Sequence, residues 1–263
     1  MFTRKLYSYS LLFSIAIVGT NARAQQSSTG TPGTGPVAKR DVAAINVITQ
    51  SLTAMGMIAS PTLETSAQGT ITDRNGNVNP ITIETIGTDR VRHNVGSAFT
   101  FVSNTGNGFL LINGKKQNLA SWATEYERPE HLPALSLMAD YLNPNLQIQY
   151  IGLETINGTP VHHVRLSVLS IDPSQQAIED LISEFHVYID QKTFLVTLTR
   201  HFDFSPETLV NRSPVDTVFS DYRSQNGTML PFHLTRFIAA QQDSDIVFSS
   251  ISLNATIPDS DFQ

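Results

Sequence analysis

Five Asn-Gly pairs, at Asn75-Gly76, Asn107-Gly108, Asn113-Gly114, Asn157-Gly158 and Asn226-Gly227, punctuate this chain of 263 residues. Between them, from Leu63 onward, apolar and polar positions alternate. Asn and Gly both tolerate positive φ, which a two-residue type I′ hairpin requires at both positions, so the repeated pair specifies an antiparallel meander. The expected strands are Leu63–Asp73, Ile81–Ile86, Arg90–Val95, Ala98–Ser103, Phe109–Ile112, Leu146–Ile156, Val161–Val168, Glu184–Ile189, Phe194–Phe202, Thr217–Arg223, Leu230–Ala239 and Asp245–Leu253.

Ahead of the strands the period is helical. From Val37 to about Ile58 the residues Ile45, Ile48, Leu52 and Met55 recur at three and four, with Asn46, Gln50 and Thr53 between them. Ser60-Pro61 stops this helix, because proline disfavours a helical residue before it. Two segments interrupt the strand pattern, the first an apolar helical insertion and the second a short helix or long turn. One is Glu130–Leu142, preceded by the single Trp122; the other is Asp172–Ile182, with a proline at its start. An open or rolled sheet with one long and one or two short helices follows, of the α+β class.

The N-terminus carries an export signal. Arg4 and Lys5 precede a mostly apolar run from Leu6 to Gly19, and Ala22-Arg23-Ala24 is an A-x-A cleavage site. The run is too short and too interrupted by Tyr7, Ser8 and Ser10 to span a bilayer, which takes about 20 apolar residues. The domain organisation expected is a signal peptide over 1–24, a disordered Ser/Thr/Gly/Pro/Gln linker over 25–36 and one domain over 37–263. Losing Arg4, Lys5 and Arg23 with the leader takes the formal charge from −6 to −9. That acidity argues against phosphate-backbone recognition, so no nucleic-acid partner is expected. The absence of cysteine rules out disulfides, thiolate metal sites, a cysteine nucleophile and a lipobox anchor.

The chain resembles the LolA/LolB-like superfamily of envelope lipoprotein carriers. The residues that carry the likeness are the initial helix, the strands TLETSAQGTIT and ITIETIGTDRVRH, and the ending YRSQNGTMLPFHLTRF followed by IVFSSISLNATIPDSDF. The resemblance covers about Val37 to Phe262. It implies an α+β fold in which a large antiparallel, strongly curved sheet, an unclosed β-barrel, wraps around one long and one or two short helices. It also implies a concave apolar face that accepts acyl chains. Two features depart from the pattern: the Gln25–Pro36 linker, and the lid-locking arginine, for which Arg90 and Arg92 offer only strand positions.

A ligand-lining face at period two is offered by Ile81, Ile83, Phe99, Phe101, Phe109 and Leu111, continued by Phe232 and Leu234 with Val247 and Ile251. The same alternation describes an ordinary half-buried sheet packed on a helix. Leu132–Leu142 reads first as a fixed helix plugging the opening, with a movable cover as the alternative. His162 and His163, adjacent on a strand, point to opposite faces, so no metal is expected there. A zinc site from His163, His186 and His201 would have to be assembled by the fold. Neither G-x-S-x-G nor S-x-x-K stands in a strand-turn-helix context, and Gly108–Lys116 misses the P-loop spacing by one residue. Acidic pairs such as Asp243 with Asp245 lack EF-hand spacing. No cofactor and no enzymatic activity are expected. The function expected is a periplasmic or secreted carrier of a lipid or acyl chain. The alternative is an envelope protein-interaction or stress-sensing module with no lipid cargo.

Overall fold

The computed structural model describes residues 37–56, 62–104, 107–119, 129, 131–205 and 208–263. The leader, the linker, the Ser60-Pro61 stop and Trp122 lie outside the described residues. The strands are β1 Glu64–Asp73, β2 Val78–Ile86, β3 Arg90–Val95, β4 Phe99–Asn104, β5 Asn107–Ile112, β6 Lys115–Leu119 and β7 Leu146–Ile156. They continue as β8 Thr159–Val168, β9 Phe185–Asp190, β10 Val196–Ser205, β11 Thr208–Gln225, β12 Thr228–Ile238 and β13 Gln241–Leu253.

All thirteen strands form one sheet in the order β6-β5-β4-β3-β2-β1-β13-β12-β11-β10-β9-β8-β7. Each described pairing is antiparallel. The meander thus spreads both ways from the β1–β13 pair and ends on β6 and β7. Those two strands are consecutive in sequence yet lie at opposite ends of the sheet, so the barrel is not closed.

Three of the Asn-Gly pairs form the expected turns. Asn113-Gly114, Asn157-Gly158 and Asn226-Gly227 have φ of 49° and 77°, 51° and 81°, and 51° and 84°. The other two differ. At Asn75-Gly76 the turn is longer, built on the Asp73 carboxylate accepting the N–H groups of Asn75 and Asn77 at 2.8 and 2.9 Å. Asn107-Gly108 opens β5, with Asn107 opposite Asn104. Strand β6 was not expected, because its KKQNL sequence has no apolar alternation; as an edge strand it is marked by exposed Lys115 and Lys116, which discourage further pairing. The other edge, β7, is covered by the chain entering the first helix. Asp41 N–H donates to Ile148 O at 2.8 Å and Ile148 N–H to Lys39 O at 2.9 Å.

Curvature comes from bulges, which bend a strand and sharpen its twist. They interrupt β1 against β13 at Gln68/Gly69, β7 at Tyr150/Gly152, β10 at Val196/Leu198 and β12 at Arg236/Phe237. Gly69 is required at the first of these: a Cβ there would stand 2.1 Å from Val247 O.

Helix α1, Val42–Met55, buries Ala44, Val47, Ile48, Ser51, Leu52 and Met55. It ends at Gly56 in the left-handed region (φ 91°), ahead of the expected proline stop. A Cβ on Gly56 would lie 2.3 Å from Gly227 O, so the β11–β12 turn packs directly on the helix end. Helix α2, Pro133–Leu142, lies in the β6–β7 connection and packs on α1, burying Ala134, Leu135, Leu137 and Met138. A 3₁₀ turn, Pro173–Gln175, leads into α3, Gln176–Ile182, with the Asp172 carboxylate accepting the Ser174 N–H at 2.9 Å. The main core lies between the concave sheet face and α1 with α2. On the convex face the C-terminal segment returns across β2–β4, where Ile257 and Phe262 cover Ile86 and Val102. The carboxylates of Asp259 and Asp261 meet Arg90 at 2.5 Å and Arg92 at 3.1 Å.

Candidate functional site

The concave face brings together six of the eight residues expected to line it. Ile81 and Ile83 on β2, Phe99 and Phe101 on β4, and Phe232 and Leu234 on β12 are each at most 4% exposed and share one apolar cluster with both helices. Phe109 and Leu111 are not among them. Phe101 pairs with Leu110 and Val102 with Phe109, which puts Leu110 inward and sends Phe109 and Leu111 to the convex side. The four consecutive apolar residues Phe109–Ile112 carry no alternation, so only the pairing partner sets their phase, and a slip of one inverts every side chain. Val247 is misplaced in the same way. The β1–β13 bulge puts Phe248 inside, 1% exposed, and leaves Val247 44% exposed, while Ile251 is buried as expected.

Near one end of the concavity the packing leaves a cavity of about 30 Å³. Its walls are apolar at Ile71, Ile81, Ile83 and Leu234, and polar at His93, His131, Thr217, Arg236 and Ser244. Thr217 and Arg236 are directly opposed on β11 and β12, and His93 sits on β3 between Ile83 and Phe101. His131 enters from the segment leading to α2, its Nε2 3.3 Å from Thr65 Oγ1, which in turn lies 2.7 Å from Thr85 Oγ1. His93, His131 and Thr217 are 7%, 0% and 2% exposed, yet His93 Nε2, His131 Nδ1 and Thr217 Oγ1 have no hydrogen-bond partner among the described residues. Buried polar atoms are normally paired, and leaving one unpaired costs about 1–3 kcal/mol. Burial, reinforced by the Arg236 charge, pushes His93 down to about 4. Burial, reinforced by His93, pushes His131 down to about 3. Both imidazoles are therefore neutral near pH 7.

Sequence reasoning passed over this polar cluster. A signal was there: His93 interrupts an inward run between Val91 and Val95, Thr217 one between Val215 and Phe219, and Arg236 follows inward Phe232 and Leu234. A polar residue at an inward position of an alternating strand is the anomaly to look for.

Helix α2 is held at both ends. His131 anchors its start, and the Arg40 guanidinium donates to Tyr141 O at 2.5 Å and lies over the Tyr141 ring at its C-terminal end, where the helix dipole favours a cation. Arg90 and Arg92 point to the convex face and engage the C-terminal segment instead.

Across β7–β11 the convex face carries an ionic chain. Glu154 Oε1 lies 2.6 Å from His163 Nδ1, His163 Nε2 2.6 Å from His186 Nδ1, and His186 Nε2 3.0 Å from Glu184 Oε1. Arg165 and Arg212 also bind Glu184. Burial opposes ionisation of Glu184, but the Arg212 hydrogen bond and the charges of Arg212, Arg165 and His186 outweigh it and hold the carboxyl below its ordinary value. The fold thus joins His163 and His186, while His162 turns to the other face to meet Tyr150 and Phe194. His201 stands apart beside Asp203, and no group of three metal-ligating side chains forms among the described residues.

No protein-family model matches the sequence, and no curated protein sequence does. The structure is similar to that of a Vibrio parahaemolyticus domain assigned to outer membrane lipoprotein sorting, at 10% identity and a TM-score of 0.55 over 84% of this chain and 96% of that one. It is similar to a LolA superfamily protein from Nitrosomonas europaea (10% identity, TM-score 0.52, 84% and 97% covered). A DUF1329 family protein from Desulfovibrio piger gives 10% identity and a TM-score of 0.52, with 84% and 96% covered. At these identities the likeness is one of fold, and the fold is LolA-like.

Proposed function

We propose that this LolA-like fold is an exported carrier: the leader is removed near Ala24, and residues 37–263 act as one domain in the periplasm or beyond the cell. Its concave face would hold a lipid or acyl chain. The observation that carries this reading is a continuous apolar inner face covered by α2, a separately latched helix in the connection between the two edge strands, β6 and β7. The fold shared with a domain assigned to lipoprotein sorting supports it. Burying each methylene of a guest contributes about 0.8 kcal/mol, which is enough to hold a long chain without any covalent step. The interior cavity of about 30 Å³ is far below the ~150 Å³ that accommodates a benzene, so loading requires α2 to lift from the sheet.

The small size of that cavity also favours a second reading, in which α2 stays in place and the chain serves as a protein-interaction module. Native mass spectrometry with organic extraction, on protein purified gently from its own envelope, separates the two. A co-purifying lipid or acylated peptide at near-unit stoichiometry is the result expected of a carrier. An empty mass together with a stoichiometric protein partner would establish the module.

A further inference from the structure

We propose that the polar end of the concave cavity is an anchoring site for the carboxylate of a single-chain carboxylic acid, with His93, His131, Thr217 and Arg236 as its anchors. The proposal deepens the carrier reading and rests on it. Its warrant is a set of unmet bonds. Three side chains more than nine-tenths buried line this largely apolar space, and their His93 Nε2, His131 Nδ1 and Thr217 Oγ1 atoms have no partners among the described residues. A core meant only to be packed would place apolar side chains there. Arg236, half-buried in the wall beside Thr217, supplies the sign of the guest: its guanidinium favours an anion over a neutral group.

The size of the space limits the guest's polar part. About 30 Å³ holds one or two water-sized groups, so a carboxylate head fits where a sugar or a phosphodiester headgroup does not. The proton inventory is consistent with this. A neutral imidazole offers one N–H, and Thr217 Oγ1 one O–H. His131 can present its proton at Nδ1 when the Thr65 hydroxyl donates to Nε2. Oxygen atoms that only accept match donors of this kind. The tail would extend along Ile71, Ile81, Ile83 and Leu234 as α2 withdraws from the sheet.

The experiment compares dodecanoate, dodecanol and methyl dodecanoate by calorimetric titration, on the full mature chain and on Thr217→Val and Arg236→Met. Dodecanoate is expected to bind the native chain at least about tenfold more tightly than dodecanol, as charge-assisted hydrogen bonds allow. Both substitutions are expected to erase that preference. Thr217→Val serves as the folding control. It removes a buried hydroxyl without a partner at nearly constant shape, so the urea midpoint of the empty protein should hold or rise. Equal binding of acid and alcohol would overturn the anchor and leave the carrier standing, as would a preference that survives both substitutions. Binding of none of the three would overturn the anchor together with the carrier reading.

Discussion

Ala239 and Ala240 form the β12–β13 turn with φ of 48° and 64°, the left-handed region that a Cβ resists. Each alanine there costs about 1 kcal/mol relative to glycine, and somewhat less relative to asparagine. The chain uses Asn-Gly for the same backbone at three other turns, so Ala239→Asn with Ala240→Gly should raise stability by about 1–2 kcal/mol, read as a higher urea midpoint at constant slope. His93 and His131 set a pH dependence of definite sign. Each ionises near 6.5 when unfolded and only near 4 or 3 when folded. Below pH 6.5 the unfolded chain takes up protons that the folded chain refuses. Their contribution is complete above pH 6.5 and is lost as pH falls toward 4, at about 1.4 kcal/mol per pH unit for each histidine. Urea unfolding at pH 7 and pH 5 checks this, and His93→Gln should halve the slope assigned to the pair.

At the scale of elements, α2 is the part most separable from the sheet. Its C-terminal tie is Arg40 on Tyr141 O, and its N-terminal tie is His131 on Thr65. Arg40→Ala should speed hydrogen exchange of the α2 amides about tenfold, the equivalent of one lost hydrogen bond to a charged group, and leave the β1–β13 amides unchanged. Faster exchange throughout would mean that α2 and the sheet unfold as one unit. The convex ionic chain acts on different elements. Glu184 receives Arg165, Arg212 and His186 from three strands, so Glu184→Gln should cost about 2–3 kcal/mol of stability. Binding of any interior guest should be unaffected, because these groups face away from the cavity.

For the whole molecule the inner and outer faces have separate tasks, and paired substitutions expose this. Leu234→Phe, which fills part of the cavity without adding polarity, should lower the amount of co-purifying lipid severalfold. Leu111→Glu, on the convex face, should leave that amount unchanged, as measured by extraction from equal amounts of folded protein. Loss of lipid in both variants would mean that the guest lies on the convex side.

The order of elements was legible before the fold was seen, because it depends on local properties. Asn-Gly at residues 113, 157 and 226 makes its hairpin by backbone preference alone. Alternation marks β2, β3 and β8 without reference to neighbours, and Ile45, Ile48, Leu52 and Met55 mark α1 by period. Phase was another matter wherever alternation lapsed. Whether Phe109 or Leu110 faces inward depends on the partner of Phe101, and whether Val247 or Phe248 does depends on a bulge opposite Gly69. The polar cavity is further still from local reading. His93, His131, Thr217 and Arg236 come from four separate segments, and each is unremarkable in its own. Only closure of the sheet over α1 and α2 puts them at one place and withdraws the water that would otherwise satisfy His93, His131 and Thr217. Sequence determined the elements other than β6 and most of their inward residues, because turn preference and periodicity act over a few residues. Tertiary structure decided the site, because a buried unpaired polar group exists only once distant strands have excluded solvent from it.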